Sequence, residues 1–199
     1  MTFATINKNA LVSFLKVAYA ADKEVQLRAL FGPTGSHRLF CDMDGVLTDF
    51  DKAYLKQSPP GIPPMGKPLD PAIVGEESFW ADMDWAPGGE ELWRFILPLT
   101  PTILTANPSY KGDSSTEEAV KIPCEAGKRK WVLKHIGGAT KVVVRRDKAS
   151  EIIPGKVCVL IDDMDHNLKS WKDAGGTPVM HVRTATTLDQ LLSLVEVLK

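Results

Sequence analysis

The feature that most constrains the fold is a short apolar run that ends in two carboxylates and a glycine. Leu39-Phe40-Cys41 is followed directly by Asp42-Met43-Asp44-Gly45. Such a run is typical of a buried strand that delivers acidic side chains to a loop at its carboxyl end, where α/β proteins bind ligands. Neighbouring carboxylates repel each other, and a divalent cation between them keeps both ionised. Because hard oxygen ligands favour it, we expect this cation to be Mg²⁺.

Gly45 adds a second expectation for this loop. A glycine lets the backbone turn sharply, so that successive N–H groups can point at one spot and bind an anion. Combined with a metal, this arrangement suggests a phosphate ligand. Asp and Gly are also ordinary turn residues, so the stretch alone would equally suit a solvated acidic turn.

Short apolar runs alternate with helical patterns along the rest of the chain, which predicts βαβ units and a doubly wound, mainly parallel sheet. The later strands are predicted at 102–105, 141–144, 157–161 and 179–182. Helices are predicted at 128–136, 167–173 and 188–198, with another that opens at Pro87-Gly88-Gly89. Because parallel strand ends meet at one crevice, polar residues just beyond them should lie together. These residues are Asp42, Asp44, Thr105, Arg146, Lys148, Asp162 and Asp163.

Length and composition limit the possible classes of protein. The chain has 199 residues, enough for one domain with a sizeable core. Its formal net charge of −1 argues against a broad nucleic-acid-binding surface. No apolar run reaches the roughly 18 residues that span a bilayer, so we expect no membrane association. Three cysteines without metal-ligand spacing indicate reduced core residues in a cytoplasmic protein.

Two segments flank or interrupt the main domain, which we assign to residues 37–199. Residues 1–36 form an N-terminal helical extension, with one or two helices over 9–31 that end at Gly32-Pro33. The extension packs on the sheet or against a partner, so a homodimer is one possible assembly. Residues 10–21 faintly resemble a signal peptide, but their apolar residues fall on one helical face, which favours an amphipathic helix.

The second segment, residues 51–86, is predicted to be a small cap inserted after the first strand. Residues 58–68 are rich in proline and glycine, which excludes a long helix or a central strand. This stretch indicates either a lid over the strand ends or a solvent loop. Phe79 and Trp80 follow it, and they suit either the core or stacking on a ligand.

Four ordered motifs resemble those of the haloacid dehalogenase-like phosphatases. They are Asp42-Met43-Asp44-Gly45-Val46, Ile103-Leu104-Thr105, a downstream lysine, and Leu160-Ile161-Asp162-Asp163. Within that superfamily the chain looks most like the 5'(3')-deoxyribonucleotidases. That likeness rests on the segments 42–50, 79–88, 105–108, 128–137, 146–148 and 161–163, within about residues 39–182. The segment between Phe50 and Phe79 is shorter than the cap of that family.

The resemblance implies the fold of that superfamily and a Mg²⁺-dependent phosphatase reaction. Asp42 would be the nucleophile that forms an aspartyl-phosphate. Asp44 would be the general acid that protonates the leaving alcohol and the general base that activates water. Mg²⁺ would bind the Asp42 carboxylate, the Asp44 backbone carbonyl and Asp163, with Asp162 as an outer partner.

The resemblance also implies the residues that hold the substrate. The Thr105 hydroxyl, with the N–H groups of Thr105 and Ala106, would bind phosphoryl oxygens. The lysine that neutralises developing charge would be Lys148, which we prefer, or Lys128, which matches the phage polynucleotide 3'-phosphatases; the other would be a surface charge. Further substrate contacts are implied for Gly45, Phe50, Phe79, Trp80 and Arg146.

The function expected from the sequence is hydrolysis of a nucleotide phosphomonoester, a deoxyribonucleoside 5'- or 3'-monophosphate, so the expected partner is a small phosphorylated molecule. Two alternatives are open. Residues 131–136 and the basic residues at 128, 129, 130 and 134 also resemble polynucleotide 3'-phosphatases, which would make nucleic acid the substrate. The second alternative is a catalytically silent module that binds a phospho-ligand and docks through residues 1–36.

Overall fold

The computed structural model describes residues 8–58, 69–110 and 113–198, with side chains from residue 17 onwards. In this part of the chain five strands form one sheet, and every neighbouring pair is parallel. The strands are β1 (His37–Cys41), β2 (Thr102–Thr105), β3 (Val142–Val144), β4 (Val157–Asp162) and β5 (Thr177–Met180). Their order is β3-β2-β1-β4-β5, so β1 and β4 meet where the strand order reverses. Open α/β sheets bind ligands at such a point, beyond the carboxyl ends of the strands.

Eight α-helices pack around this sheet within the described residues. They are α1 (Lys8–Phe31), α2 (Phe50–Gln57), α3 (Pro71–Val74), α4 (Glu77–Ala81), α5 (Gly89–Ile96), α6 (Ser114–His135), α7 (Asp165–Asp173) and α8 (Thr184–Val197). None of these helices has the length and apolar character needed to cross a membrane. The predicted α/β class and parallel sheet are therefore confirmed.

The sheet is buried on both faces. Successive residues of a strand point to opposite sides of the sheet, so a strand that is covered on both sides contributes to two cores. Leu39 and Cys41 of β1 belong to one large core, whereas Phe40 between them belongs to a second, smaller core. In the smaller core Phe40 contacts Trp171 of α7, with ring centroids 5.1 Å apart. Strands that are covered on both faces form continuous apolar runs, and this explains why their sequences do not alternate.

Within the described part of the N-terminal segment there is a single helix, α1, whose C-terminal end belongs to the main core. Leu27 and Phe31 are buried, and α1 contacts α8 and β1. Lys23 forms an ion pair with Glu196 of α8, in which the nitrogen and oxygen are 2.5 Å apart. Part of the predicted extension therefore packs on the main domain, which agrees with the first of the two alternatives, packing on the sheet.

The predicted start of α6 is wrong, and the difference is explained by a helix cap at Asp113 together with burial of the helix beside Pro123. The helix begins at Ser114 rather than Lys128, because the Asp113 carboxylate accepts a hydrogen bond from a backbone N–H in the first turn. It then continues through Pro123, a residue that normally interrupts a helix. The next residue, Cys124, is fully buried, so this part of the helix packs in the core despite the unfavourable proline.

Strand β5 lies earlier in the chain than the predicted range of 179–182. Its register is set by β4, which pairs Val159 with Thr177 and Ile161 with Val179. Val182 falls beyond the strand and is exposed. Helices α7 and α8 also begin earlier than predicted.

The predicted cap folds as short helices where the structure describes it, and residues 59–68 lie outside that description. Helices α3 and α4 pack against α6. Phe79 and Trp80 of α4 are only 3% and 1% exposed, so the prediction that they stack on a ligand is wrong and the core alternative is correct. The indole N–H of Trp80 donates to the Val74 carbonyl at 2.8 Å, which satisfies its polar atom inside the core.

Candidate active site

A cavity of about 450 Å³ lies beyond the carboxyl ends of the central strands. Segments that follow β1, β2, β3 and β4 contribute its walls, as the strand order predicts. The predicted site residues that line it are Asp42, Asp44, Gly45, Phe50, Ala106, Arg146, Lys148 and Asp163. The predicted residues outside its lining are Thr105, Lys128, Asp162, Phe79 and Trp80.

Lys148 lies between Asp42 and Asp162 and is buried with them. Its ammonium nitrogen is 2.8 Å from Asp42 Oδ1 and 2.6 Å from Asp162 Oδ2. Burial lowers the pKa of Lys148, but the charges of the two carboxylates outweigh this effect and raise the pKa above its ordinary value. A buried lysine whose charged form is favoured by two carboxylates therefore contacts the predicted nucleophile and also lines the cavity.

Lys128 is a second buried lysine, so the prediction that one of the two lysines is a surface charge is wrong. Lys128 is 0% exposed. Its ammonium donates to Asp44 Oδ2 at 2.7 Å, to Thr105 Oγ1 at 2.7 Å and to the Ala106 carbonyl at 2.6 Å. The Thr105 hydroxyl, which is expected to face a phosphoryl oxygen, therefore contacts Lys128 behind the cavity wall.

The carboxylates of Asp42, Asp162 and Asp163 form a cluster that suits a cation. One oxygen from each lies within 4.8 Å of the other two. Burial raises the pKa of Asp42, and burial together with the charges of Asp42 and Asp162 raises the pKa of Asp163 to about 7. A positive charge among them would lower both pKa values, because it favours the ionised form of each carboxyl.

Within this cluster Asp162 is satisfied by protein groups, whereas Asp163 is not. Asp162 accepts hydrogen bonds from the Met164 N–H at 2.9 Å and the Asn167 amide at 3.1 Å, in addition to its contact with Lys148. The buried Oδ1 of Asp163 has no hydrogen-bond partner among the described residues. Buried polar atoms normally have a partner, and Mg²⁺ binds carboxylate oxygens. The donor set therefore fits a Mg²⁺ ion that is held by Asp42 and Asp163.

Four backbone N–H groups of the loop after β1, from Gly45 to Thr48, are bonded within the loop itself. The Gly45 N–H donates to the Thr48 carbonyl at 2.9 Å. The N–H groups of Val46, Leu47 and Thr48 all donate to the Met43 carbonyl, at 3.3, 2.8 and 2.9 Å. These four amides are engaged within the turn, so the predicted anion-binding group would use other N–H groups of the loop.

Gly45 is needed for a different reason, which leads to a prediction. Its φ is 78°, and a Cβ at this position would lie 2.4 Å from Asp163 Oδ2. We expect Gly45→Ala to displace the Asp163 carboxylate and weaken Mg²⁺ binding about 10- to 100-fold, as measured by titration calorimetry. Gly155→Ala is the matched control, because Gly155 has a φ of 75° and no atom within 4 Å of the added Cβ.

Both alanine variants place a side chain in the left-handed region, so both should lose about 1–2 kcal/mol in the free energy of unfolding. Only Gly45→Ala should lose Mg²⁺ affinity. Equal affinities in the two variants would contradict the assignment of Asp163 as a metal ligand.

The rest of the cavity combines an apolar wall with a cationic rim. Phe50, Leu69 and Met164 supply apolar surface. Arg146 lies at the rim with half of its side chain exposed, and its guanidinium contacts Glu117 Oε1 at 2.5 Å and the Pro108 carbonyl at 2.6 Å. The cavity can therefore accept a ligand with an apolar ring and a polar or anionic part.

Five polar residues of the cavity are not predicted as site residues from the sequence: Asp51, Asn107, Ser109, His166 and Asn167. Asn167 fixes Asp162 through its side-chain amide, and Asn107 donates to Glu125 of α6 at 3.0 Å. The signal for Asn167 and His166 is their place in the first turn of the helix after the paired acids of β4. Asn107 follows Ala106 at the end of β2, a position that faces the same crevice.

Comparison with known proteins gives no further assignment for this site. The chain matches no protein-family model, and no curated protein shows significant similarity to it.

Proposed function

We propose that this protein is a Mg²⁺-dependent phosphatase that hydrolyses a nucleotide phosphomonoester, namely a deoxyribonucleoside 5'- or 3'-monophosphate. One observation carries the proposal. The Asp42–Lys148–Asp162 ion network, the unpartnered Oδ1 of Asp163 and the Lys128-bound Asp44 meet at one ligand-sized cavity. Paired acids of unequal environment, a metal-binding oxygen and a charged lysine are the parts that phosphoryl transfer requires.

The first half-reaction uses Asp42 as the nucleophile. Its Oδ1 is held by the Met43 N–H at 2.7 Å and by Lys148 at 2.8 Å, and neither contact uses Oδ2. A carboxylate oxygen of Asp42 forms a bond to phosphorus as the ester P–O bond breaks. Asp44 enters this step protonated and gives its proton to the departing alkoxide, which leaves it as the carboxylate that pairs with Lys128, and an aspartyl-phosphate is left on Asp42.

The second half-reaction releases phosphate. Asp44 removes a proton from a water molecule, whose oxygen bonds to phosphorus as the P–O bond to Asp42 breaks. Lys148 stabilises the negative charge near Asp42 in both steps, because its ammonium already lies within contact distance. Mg²⁺, held by Asp42, Asp163 and the Asp44 carbonyl, would neutralise charge on the phosphoryl group.

The shape of the cavity supports a small nucleotide substrate. Its volume falls in the range of roughly 300–1,000 Å³ that is usual for small-molecule sites. A base or sugar would lie against Phe50, Leu69 and Met164, with Arg146 at its polar edge.

We place the protein in the cytoplasm, since its cysteines are buried free thiols.

The basic residues of α6 favour a mononucleotide over a polynucleotide. Lys128 is buried in the site, Lys130 pairs with Glu77, and Lys134 contacts Asp82. Arg129 is exposed. The carboxylates that pair with Lys130 and Lys134 lower the net positive charge of this helix face, which weakens its attraction for a nucleic-acid backbone.

The proposal is tested by phosphate release from a panel of phosphomonoesters, with Mg²⁺ and with a chelator. The panel contains deoxyribonucleoside 5'- and 3'-monophosphates, ribonucleotides, sugar phosphates, p-nitrophenyl phosphate and a 3'-phosphorylated oligonucleotide. We expect Mg²⁺-dependent release that is fastest from a mononucleotide. Faster release from the oligonucleotide would favour a polynucleotide 3'-phosphatase, and binding without release would favour a silent binding module.

A further inference from the structure

Asp44 is held by two groups, and Lys128 is the stronger of them. Lys128 donates to Asp44 Oδ2 at 2.7 Å, while the Thr48 hydroxyl donates to Oδ1 at 3.2 Å. An ion pair with a fully buried ammonium is stronger than a hydrogen bond from a neutral hydroxyl. The direction of the Asp44 carboxylate therefore depends mainly on where Lys128 is held.

The position of Lys128 is in turn fixed on every side. Its three N–H donors are used by Asp44, Thr105 and the Ala106 carbonyl. Its nitrogen also lies 4.7 Å from the ring centre of Trp80, within the range of a cation–π contact. Because Lys128 does not line the cavity, it acts on a bound phosphate through Asp44 rather than directly.

Trp80 has no direct route to a substrate, but it is rigidly placed beneath Lys128. Its ring packs edge to face on Phe79 at 4.9 Å, and its N–H is tied to the Val74 carbonyl. Gly127 lets α4 approach this closely, since a Cβ there would lie 2.6 Å from the Cβ of Trp80. The inserted helices thus form a platform under the lysine.

We propose that Lys128 is a positioning residue that aims Asp44 at the reacting phosphoryl group, and that Trp80 holds Lys128 in place from the insert. This inference rests on the proposed function, and it replaces the substrate contact that the family resemblance implies for Trp80. Residues 69–86 would then control the rate of the reaction from the core, without contact with the substrate.

The test compares kcat and KM with Mg²⁺ in Trp80→Leu and Trp131→Leu, using the deoxyribonucleoside monophosphate that the unaltered protein hydrolyses fastest, because its alkoxide leaving group needs the proton of Asp44. Trp131 is a matched control, because it is fully buried, lies on α6 and donates its N–H to the Met83 carbonyl at 2.8 Å. We expect Trp80→Leu to lower kcat on the order of 10- to 100-fold with little change in KM, and Trp131→Leu to retain kcat once corrected for the folded fraction.

Two further measurements separate positioning from simple destabilisation. Fluorinated tryptophans at position 80 weaken the ring's attraction for a cation without changing its shape, so kcat should fall with each added fluorine. The same analogues at position 131 should leave kcat unchanged. In a Lys128→Met background, Trp80→Leu should cause no additional loss, because both changes act through one contact.

Several results would overturn the inference. They are equal losses of kcat at positions 80 and 131, insensitivity to fluorination, and fully multiplicative losses in the double variant. A rise in KM alone would show that Trp80 acts on substrate binding, directly or through Phe50, whose ring centroid lies 5.7 Å from that of Trp80. The unaltered protein distinguishes the two proposals: no turnover there defeats the proposed function, whereas normal turnover with any of these variant patterns defeats only the positioning role.

Discussion

Asp42→Asn is expected to lower kcat for phosphomonoester hydrolysis by about 10⁴-fold or more, since removal of a nucleophile abolishes the covalent route. The amide keeps the size of the side chain and an oxygen that can accept from the Met43 N–H, so the fold should persist. Phosphate release under saturating substrate and Mg²⁺ measures the loss. Circular dichroism and urea unfolding of the same sample verify that the variant is folded.

Asp51→Asn is the matched control for this change. Asp51 also lines the cavity, but it is exposed and lies outside the cluster of Asp42, Asp162 and Asp163. We expect it to retain most of the activity. Undiminished turnover in Asp42→Asn, or an equal loss in both variants, would contradict the assignment of Asp42 as the nucleophile.

Lys148→Met is expected to cost about 3–5 kcal/mol in the free energy of unfolding, because it leaves buried carboxylates without their counter-charge. Lys148 is 3% exposed, and its two partners, Asp42 and Asp162, are also buried. Urea unfolding without divalent cations measures this loss. Added Mg²⁺ should raise the unfolding midpoint of the variant more than that of the unaltered protein, since the ion can replace part of the missing charge.

Lys169→Met is the control for loss of a lysine from an ion pair. Lys169 and Asp173 are 2.7 Å apart, but their side chains are 77% and 63% exposed. Solvent screens such a pair, so its removal should have a much smaller effect. Equal destabilisation in the two variants would show that the buried network around Lys148 does not support the fold.

The sheet and the acidic residues of the site follow from local sequence patterns. Each strand is a short apolar run, and Asp42 and Asp163 lie directly beyond β1 and β4. A parallel sheet brings such positions to one edge, whichever segments connect the strands. These parts of the site could therefore be predicted without knowledge of the packing.

The roles of the lysines and aromatic residues could not be predicted in the same way, because they depend on contacts between distant segments. Lys128 lies in a helix whose sequence suggests a solvated basic face, yet this side chain is directed inward between Asp44 and Trp80. Phe79 and Trp80 are buried because α4 packs on α6, a contact that no periodicity encodes. Pro123 normally interrupts a helix, so the sequence does not indicate that α6 begins as early as Ser114.

The placement of β1 between β2 and β4 has a consequence for the order of folding. Asp42 and Asp162 come from strands that are adjacent in space but separated by most of the domain in sequence. The long chain between them must be closed before β4 can dock, and contacts between distant residues form slowly. Docking also brings together like charges that repel until Lys148 joins them. Recovery of phosphatase activity during refolding should therefore wait for the docking of β4, and Mg²⁺ should accelerate that step.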